Sequence, residues 1–504
     1  MMRRILALVS LFIITTAIGL AEEEPKKKDT PEFKAEFPKE LISETKHTIR
    51  IDGKPVEYTA KAGNILLKEE NGRPKASIFF MAYARTGISD LSKRAITFSF
   101  NGGPGSSSVW LHLGVLGPRR VQMPEEGFPL KLPYELVHND YSVLDRTDLV
   151  FIDPVTTGYS RAVPGEDPKQ FHGYREDAET VGEFIRLYVS RFRRWSSPKF
   201  LIGESYGTTR AAALSLYLQQ RHGMYLNGVI LVSSILNFQT ARFHSGNDLP
   251  YILFLPTYTA TAWYHKKLAP ELQNDLRKTL DEVRQFATGE YTLALMKGSK
   301  LSPSERNAVA EKLARYTGLT TDYVNRSNLR IEIMRFTKEL MRAERLTVGR
   351  LDSRFTGRDR DSAGEEFEFD PSYAAIEGVY TAALNHYVRT ELKYESDLAY
   401  EILTDRVRPW SYSEYQNEYV DVSENLRQAI SLNPAMKVLV ANGYYDLATP
   451  FFATEYTFQR LPLEQKQQKN ITMTYYEAGH MMYIHKPSLI QMKSDLAAFY
   501  DSAL

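Results

Sequence analysis

The residue best placed to do chemistry in this chain is Ser205, within Gly203-Glu204-Ser205-Tyr206-Gly207. The apolar run Phe200-Leu201-Ile202 precedes it, and a helix-like stretch over 208–220 follows. A G-x-S-x-G pentapeptide between strand and helix makes a sharp elbow that lifts the serine hydroxyl clear of the backbone. Its glycines permit a turn too tight for a Cβ on either side. A base and an electrophilic carbonyl can then both reach the hydroxyl, as nucleophilic catalysis requires. The pentapeptide alone is a weak signal, because glycine and serine are common residues. Three other segments give it weight.

Attack on a carbonyl needs N–H groups aimed at the developing oxyanion. Asn101-Gly102-Gly103-Pro104-Gly105-Ser106-Ser107-Ser108 follows Ala95–Phe100, which reads as a buried strand. A glycine-rich loop after an early strand supplies one such N–H, and the residue after the nucleophile supplies the other. Gly103 and Tyr206 are the candidate donors, although in isolation the loop reads better as an ordinary Gly/Pro connection. Asp446 lies just beyond the short strand Lys437-Val438-Leu439-Val440 and the Asn442-Gly443 break. A carboxylate there can orient a base, but Asp is also a frequent turn residue. His480 stands in Ala478-Gly479-His480, directly after the β-branched strand Ile471–Tyr476. Its nearest competitor, His485, precedes Lys486-Pro487 at the start of the last helix, where a packing or surface role fits better. His112, His172 and His386 have no comparable setting. In this scheme Ser205 attacks, His480 moves the proton and Asp446 orients the imidazole. The order Ser, Asp, His along the chain is that of the α/β-hydrolases.

Together these segments resemble the serine carboxypeptidase family over most of the chain after the leader. The resemblance rests on 100–107, Leu116-Gly117-Pro118, Asp153-Pro154-Val155 with Gly158-Tyr159-Ser160, 203–207 and 478–481, all in the same order. It implies an α/β-hydrolase fold, with a mostly parallel central sheet flanked by helices. It further implies that Asn101 and Glu204 bind the free α-carboxylate of a peptide substrate. Glu204 can donate to a carboxylate only when protonated, and burial beside a second carboxylate favours that form. Three departures stand out. Val115 occupies the place where many relatives carry another Glu before Leu-Gly-Pro. Tyr483 stands where the family usually has Pro, three positions after the His. Thr156 replaces a Gly. The activity implied is release of C-terminal residues from peptides through an acyl-enzyme, with no metal and no cofactor. An esterase or acyltransferase using the same triad is the alternative, and a non-catalytic binding protein on this fold is a third.

The whole chain sets broader bounds. Its 63 basic and 62 acidic residues leave a net charge of +1, which steers nothing toward nucleic acid. Arg3-Arg4, the apolar stretch 5–20 and the small-residue end Gly19-Leu20-Ala21 read as a secretory signal cleaved after Ala21. The expected location is therefore secreted or periplasmic, without stable membrane association after cleavage; an uncleaved anchor is the alternative. Lys26-Lys27-Lys28 reads as a solvated linker. Secreted relatives typically carry disulfides, whereas this chain has no cysteine. Its core alone must hold it, which 504 residues allow. Strand–helix alternation predicts a linker with edge strands over 22–65 and the first part of the core over 66–244. A mainly helical, charged cap follows over 245–373, and the second part of the core over 374–504. Ser302-Pro303-Ser304-Glu305 predicts a helix start. The charged stretch 350–361 reads as a mobile cap loop, and 251–264, rich in aromatics and Leu, as packing under the cap or walling a cleft.

Overall fold

The computed structural model describes residues 37–127 and 134–504. The expected signal segment, 1–21, and residues 22–36 of the expected linker segment, Lys26-Lys27-Lys28 among them, lie outside the described residues. The apolar runs become strands β1 (Ile42–Ile51), β2 (Lys54–Lys68), β3 (Pro74–Arg85), β4 (Ala95–Phe100) and β5 (Thr147–Ile152). After them come β6 (Lys199–Ser205), β7 (Gly228–Ser234), β8 (Lys437–Gly443) and β9 (Ile471–Tyr476). They form one sheet in the order β1-β2-β3-β5-β4-β6-β7-β8-β9, with the short strand Arg161–Ala162 paired to β3. Pairing is antiparallel from β1 to β5 and parallel from β5 to β9.

The parallel half is covered on both faces, so its strands lack polar alternation. β4, β5 and β7 are buried at every position. Successive residues still point to opposite faces. Phe200 and Ile202, Ile230 and Val232, Leu439 and Ala441 pack on one side, and Leu201, Val229, Leu231, Val438 and Val440 on the other. Among the helices that flank this sheet or build the region beside it are α1 (Tyr174–Arg191), α2 (Tyr206–His222), α3 (Leu249–Tyr264), α4 (Leu276–Phe286), α5 (Pro303–Thr317), α6 (Pro371–Thr390) and α7 (Lys486–Ala503). α6 and α7 cover the first face, α1 and α2 the second. Because β4, β6, β8 and β9 run parallel, the loops after them emerge at one edge of the sheet, where ligands of open α/β sheets collect.

Between β7 and α6 the chain is mainly helical. α5 begins at a capping box in which Ser302 and Glu305 serve each other's backbone. Leu253, Phe254 and Tyr258 of α3 join Leu280, Val283 and Leu313 in a cluster of their own. That cluster continues into Tyr444, Tyr445, Leu447 and Phe451, on either side of Asp446. The start of 350–361 is not a mobile loop. Asp352, Ser353 and Arg354 are buried, Asp352 and Arg354 pair through two bonds of 2.9 and 2.7 Å, and Lys338 pairs with Asp359. Asp352, Arg354 and Asp359, three of the charges that suggested mobility, are held in ion pairs instead.

Candidate active site

Ser205 ends β6 and caps α2 with φ 60° and ψ −129°. A side chain at positive φ is strained, and such strain collects where the fold over-determines a conformation. Here backbone contacts do so. A Cβ on Gly203 would lie 2.1 Å from the Gly207 carbonyl oxygen, and one on Gly207 would lie 2.8 Å from that of Phe100. The loop after β4 approaches just as closely, since a Cβ on Gly102 would come within 2.4 Å of the Tyr206 nitrogen. Gly103 follows at φ +100°. Tyr206 opens α2, so its N–H has no carbonyl one turn back to serve. Both candidate oxyanion donors, Gly103 and Tyr206, therefore sit beside Ser205. The Tyr206 ring is buried and its hydroxyl accepts from Trp410 Nε1 at 3.1 Å, so the side chain braces while the backbone stays available.

Asp446 and His480 come from the loops after β8 and β9. His480 Nδ1 meets Asp446 Oδ2 at 2.8 Å. The same oxygen accepts from the Thr449 hydroxyl at 2.6 Å, while Oδ1 accepts the N–H groups of Ala448 and Thr449 at 2.8 and 3.0 Å. The His480 backbone is pinned at both ends. Its N–H donates to Leu351 at 2.7 Å, and its carbonyl accepts from Ser233 Oγ at 2.7 Å. Asp352 Oδ2 accepts the neighbouring Gly479 N–H at 3.0 Å. Burial lowers the basicity of His480, but the charge and hydrogen bond of Asp446, with help from Glu204, outweigh it and hold the imidazole above its ordinary value.

Glu204 lies beneath the elbow, 3% exposed. Its Oε1 accepts from Asn101 Nδ2 at 2.9 Å and its Oε2 from the Tyr483 hydroxyl at 2.6 Å. Burial pushes this carboxyl up to about 7; charged His480 and the two donors oppose the rise, and Asp446 adds to it. Asn101 is fixed in turn. Its Oδ1 accepts from Leu111 N at 3.2 Å, and its carbonyl from Arg210 Nη1 at 2.6 Å. Arg210 itself pairs with buried Asp177 at 2.7 Å.

Ser205, Glu204, Gly103, Tyr206 and His480 line one cleft of about 1190 Å³. Trp110, Phe238, Phe254, Tyr373, Trp410 and Tyr412 make much of its wall aromatic, and Arg242, Arg350 and Arg408 add cations. Phe254 comes from α3, so the 251–264 segment packs in the helical cluster and walls the cleft at once. Of the four other histidines weighed above, three are held by hydroxyls and one is exposed. Buried His112 bonds Tyr83 Oη at 2.7 Å, His485 Nδ1 bonds Ser488 Oγ at 2.8 Å at the start of α7, and His386 is exposed. His172 Nε2 bonds the hydroxyl of Thr156, which holds φ 76° where the resemblance expects Gly.

Sequence reasoning missed four contributors. Thr449 was findable, since a Thr three residues after an Asp closes a side-chain-capped turn. Arg210, one turn into α2, and Tyr483 were visible but had no partner until the fold supplied one. Asp352 is 128 positions from His480 and carried no signal at all.

The family model described as serine carboxypeptidase matches residues 53–493. Among curated proteins, the pheromone-processing carboxypeptidase KEX1 of Debaryomyces hansenii is 30% identical over 164 residues, which are 31% of this chain and 20% of that protein. Serine carboxypeptidase-like 36 of Arabidopsis thaliana is 26% identical over 195 residues, 37% of each. The matched stretches thus span well under half of either relative. Among solved structures, the prohormone-processing carboxypeptidase Kex1(delta)p from Saccharomyces cerevisiae aligns with a TM-score of 0.54 at 16% identity, covering 88% of this chain and 91% of that one. The likeness is one of fold.

Proposed function

Because the chain belongs to the serine carboxypeptidase family, we propose that it releases C-terminal residues from peptides through an acyl-enzyme on Ser205. His480 Nδ1 is engaged by Asp446, so Nε2 takes the Ser205 proton as Oγ attacks the scissile carbonyl. The N–H groups of Gly103 and Tyr206 receive the oxyanion. His480 then gives the proton to the departing amine, and water repeats the sequence to free the acyl group. Asn101 and protonated Glu204 hold the α-carboxylate of the leaving residue. The observation that carries this reading is Glu204, a carboxyl buried one residue before the nucleophile and in the same cleft, which burial pushes up to about 7.

The segment 245–373 acts as a cap that narrows access, since it lends Phe254 to the cleft wall. Residues 1–21 direct export to the periplasm or beyond. No helix among the described residues is long and apolar enough to cross a membrane.

Digestion of a peptide library, read by mass spectrometry, tests the activity, with a serine-directed fluorophosphonate identifying the nucleophile. A ladder from the C-terminus and label on Ser205 are expected. Acyl products without a ladder favour the esterase or acyltransferase, and intact peptides with unlabelled Ser205 favour a binding protein.

A further inference from the structure

Glu204 receives its two hydrogen bonds from different parts of the chain. Asn101 comes from the loop after β4, and Tyr483 from the 3-10 turn Met482–Ile484 that follows His480. Tyr483 is 2% exposed, and its ring is seated with no slack. A Cβ on Gly114 would stand 2.2 Å from its Cε2 and 2.5 Å from its Cδ2. The adjacent Val115 is wholly buried and offers no donor. Base and hydroxyl thus ride on one short segment, and the hydroxyl cannot turn away from Glu204 unless that segment moves.

We propose that Tyr483 is a positioning residue for recognition of the substrate carboxylate: its hydroxyl fixes Glu204 Oε2 as the accepting oxygen and leaves Oε1, beside Asn101, to carry the proton shared with the substrate. Tyr483 donates to Oε2 at 2.6 Å and Asn101 to Oε1 at 2.9 Å, and the phenol, a far more acidic donor than an amide N–H, takes the carbonyl-like oxygen of the neutral acid. A hydroxyl donates more strongly to a carboxylate than to a neutral acid. Tyr483 therefore also limits how far burial defers the ionisation of Glu204. The other groups facing Glu204 are His480, Asp446, Asn101 and, from α6, Tyr380. None of them is altered by removing this one hydroxyl.

The inference rests on the carboxylate-recognition reading, and the test separates the two. KM is measured against pH for a peptide and its C-terminal amide, with wild type and Tyr483→Phe, which keeps the ring on Gly114. In wild type the KM of the acid turns upward near pH 7 while that of the amide does not. In Tyr483→Phe the limiting KM of the acid at low pH rises, because Oε1 no longer holds the proton alone, and the upturn moves to higher pH by about one unit, so KM climbs roughly fivefold less between about pH 6 and pH 8 than in wild type. A difluorotyrosine in place of Tyr483, nearly isosteric and a stronger donor, moves the upturn to lower pH and serves also if the Phe variant folds poorly. Identical acid and amide profiles in wild type overturn the carboxylate site and this inference together. An acid-specific upturn that either variant leaves in place, or shifts the opposite way, overturns the role of Tyr483 alone.

Discussion

Two buried carboxylates flank His480, and their surroundings differ in kind. Asp446 is 0% exposed and accepts four hydrogen bonds, two of them from backbone N–H groups in its own turn. Glu204 is nearly as buried but accepts only two, both from neutral side chains more than 100 residues away in sequence. Backbone donors in a local turn cannot be withdrawn without unfolding it, so Asp446 is an acceptor at every contact. Glu204 keeps lone pairs free and a cleft to face. The difference teaches that burial alone does not decide a carboxyl's role; the number and origin of its donors do.

The comparison breaks most severely at Asp446. Asp446→Asn places an amide against His480 Nδ1 and favours the wrong tautomer, so kcat is expected to fall about 10⁴-fold, equally for peptide acids and peptide amides. A loss confined to acids would mean that Asp446 serves recognition rather than the base. Glu204→Gln should act the other way round. It keeps a neutral donor, so kcat survives, while the rise of KM for acids above pH 7, about tenfold per unit in wild type, flattens to the amide profile. The sign follows from Glu204 donating only in its protonated form, which predominates below about 7. A Gln variant whose acid profile still bends near 7 would assign the titration to another group. The smallest effect sharpens the contrast. Thr449→Val removes one of four donors from Asp446, and kcat should drop about tenfold, because the remaining three still hold the carboxylate. Loss as large as that of Asp446→Asn would show that the donors act as one unit rather than in parallel.

The fold was legible where local rules govern. Buried parallel strands announce themselves as apolar runs, and β4, β6, β8 and β9 stand close to where Ala95–Phe100, Phe200-Leu201-Ile202, Lys437-Val438-Leu439-Val440 and Ile471–Tyr476 read them. The start of α5 was legible because a capping box is complete within four residues. The loops carrying Ser205, Asp446 and His480 could be picked out because each follows such a strand. What stayed hidden depends on distant partners. Charge density made 350–361 look mobile, yet sequence does not say whether a charge meets water or another charge. Only the folded chain brings Lys338 onto Asp359 and Asp352 under Gly479. Tyr483 likewise looked like a mere departure until Glu204 lay beside it.

Glu204 and His480 lie close enough that each biases the other's ionisation. Two protonation microstates of the pair, neutral imidazole with carboxylic acid and imidazolium with carboxylate, contain the same number of protons. Bulk pH cannot convert one into the other, because neither gains nor loses a proton overall. On the proposed reading, only the first can both attack and bind a free peptide end. On that reading the α-carboxylate accepts a hydrogen bond from neutral Glu204, so its arrival would favour the first microstate over the second. A ligand with a free terminus would then, on the same reading, find the base ready more often than a ligand without one.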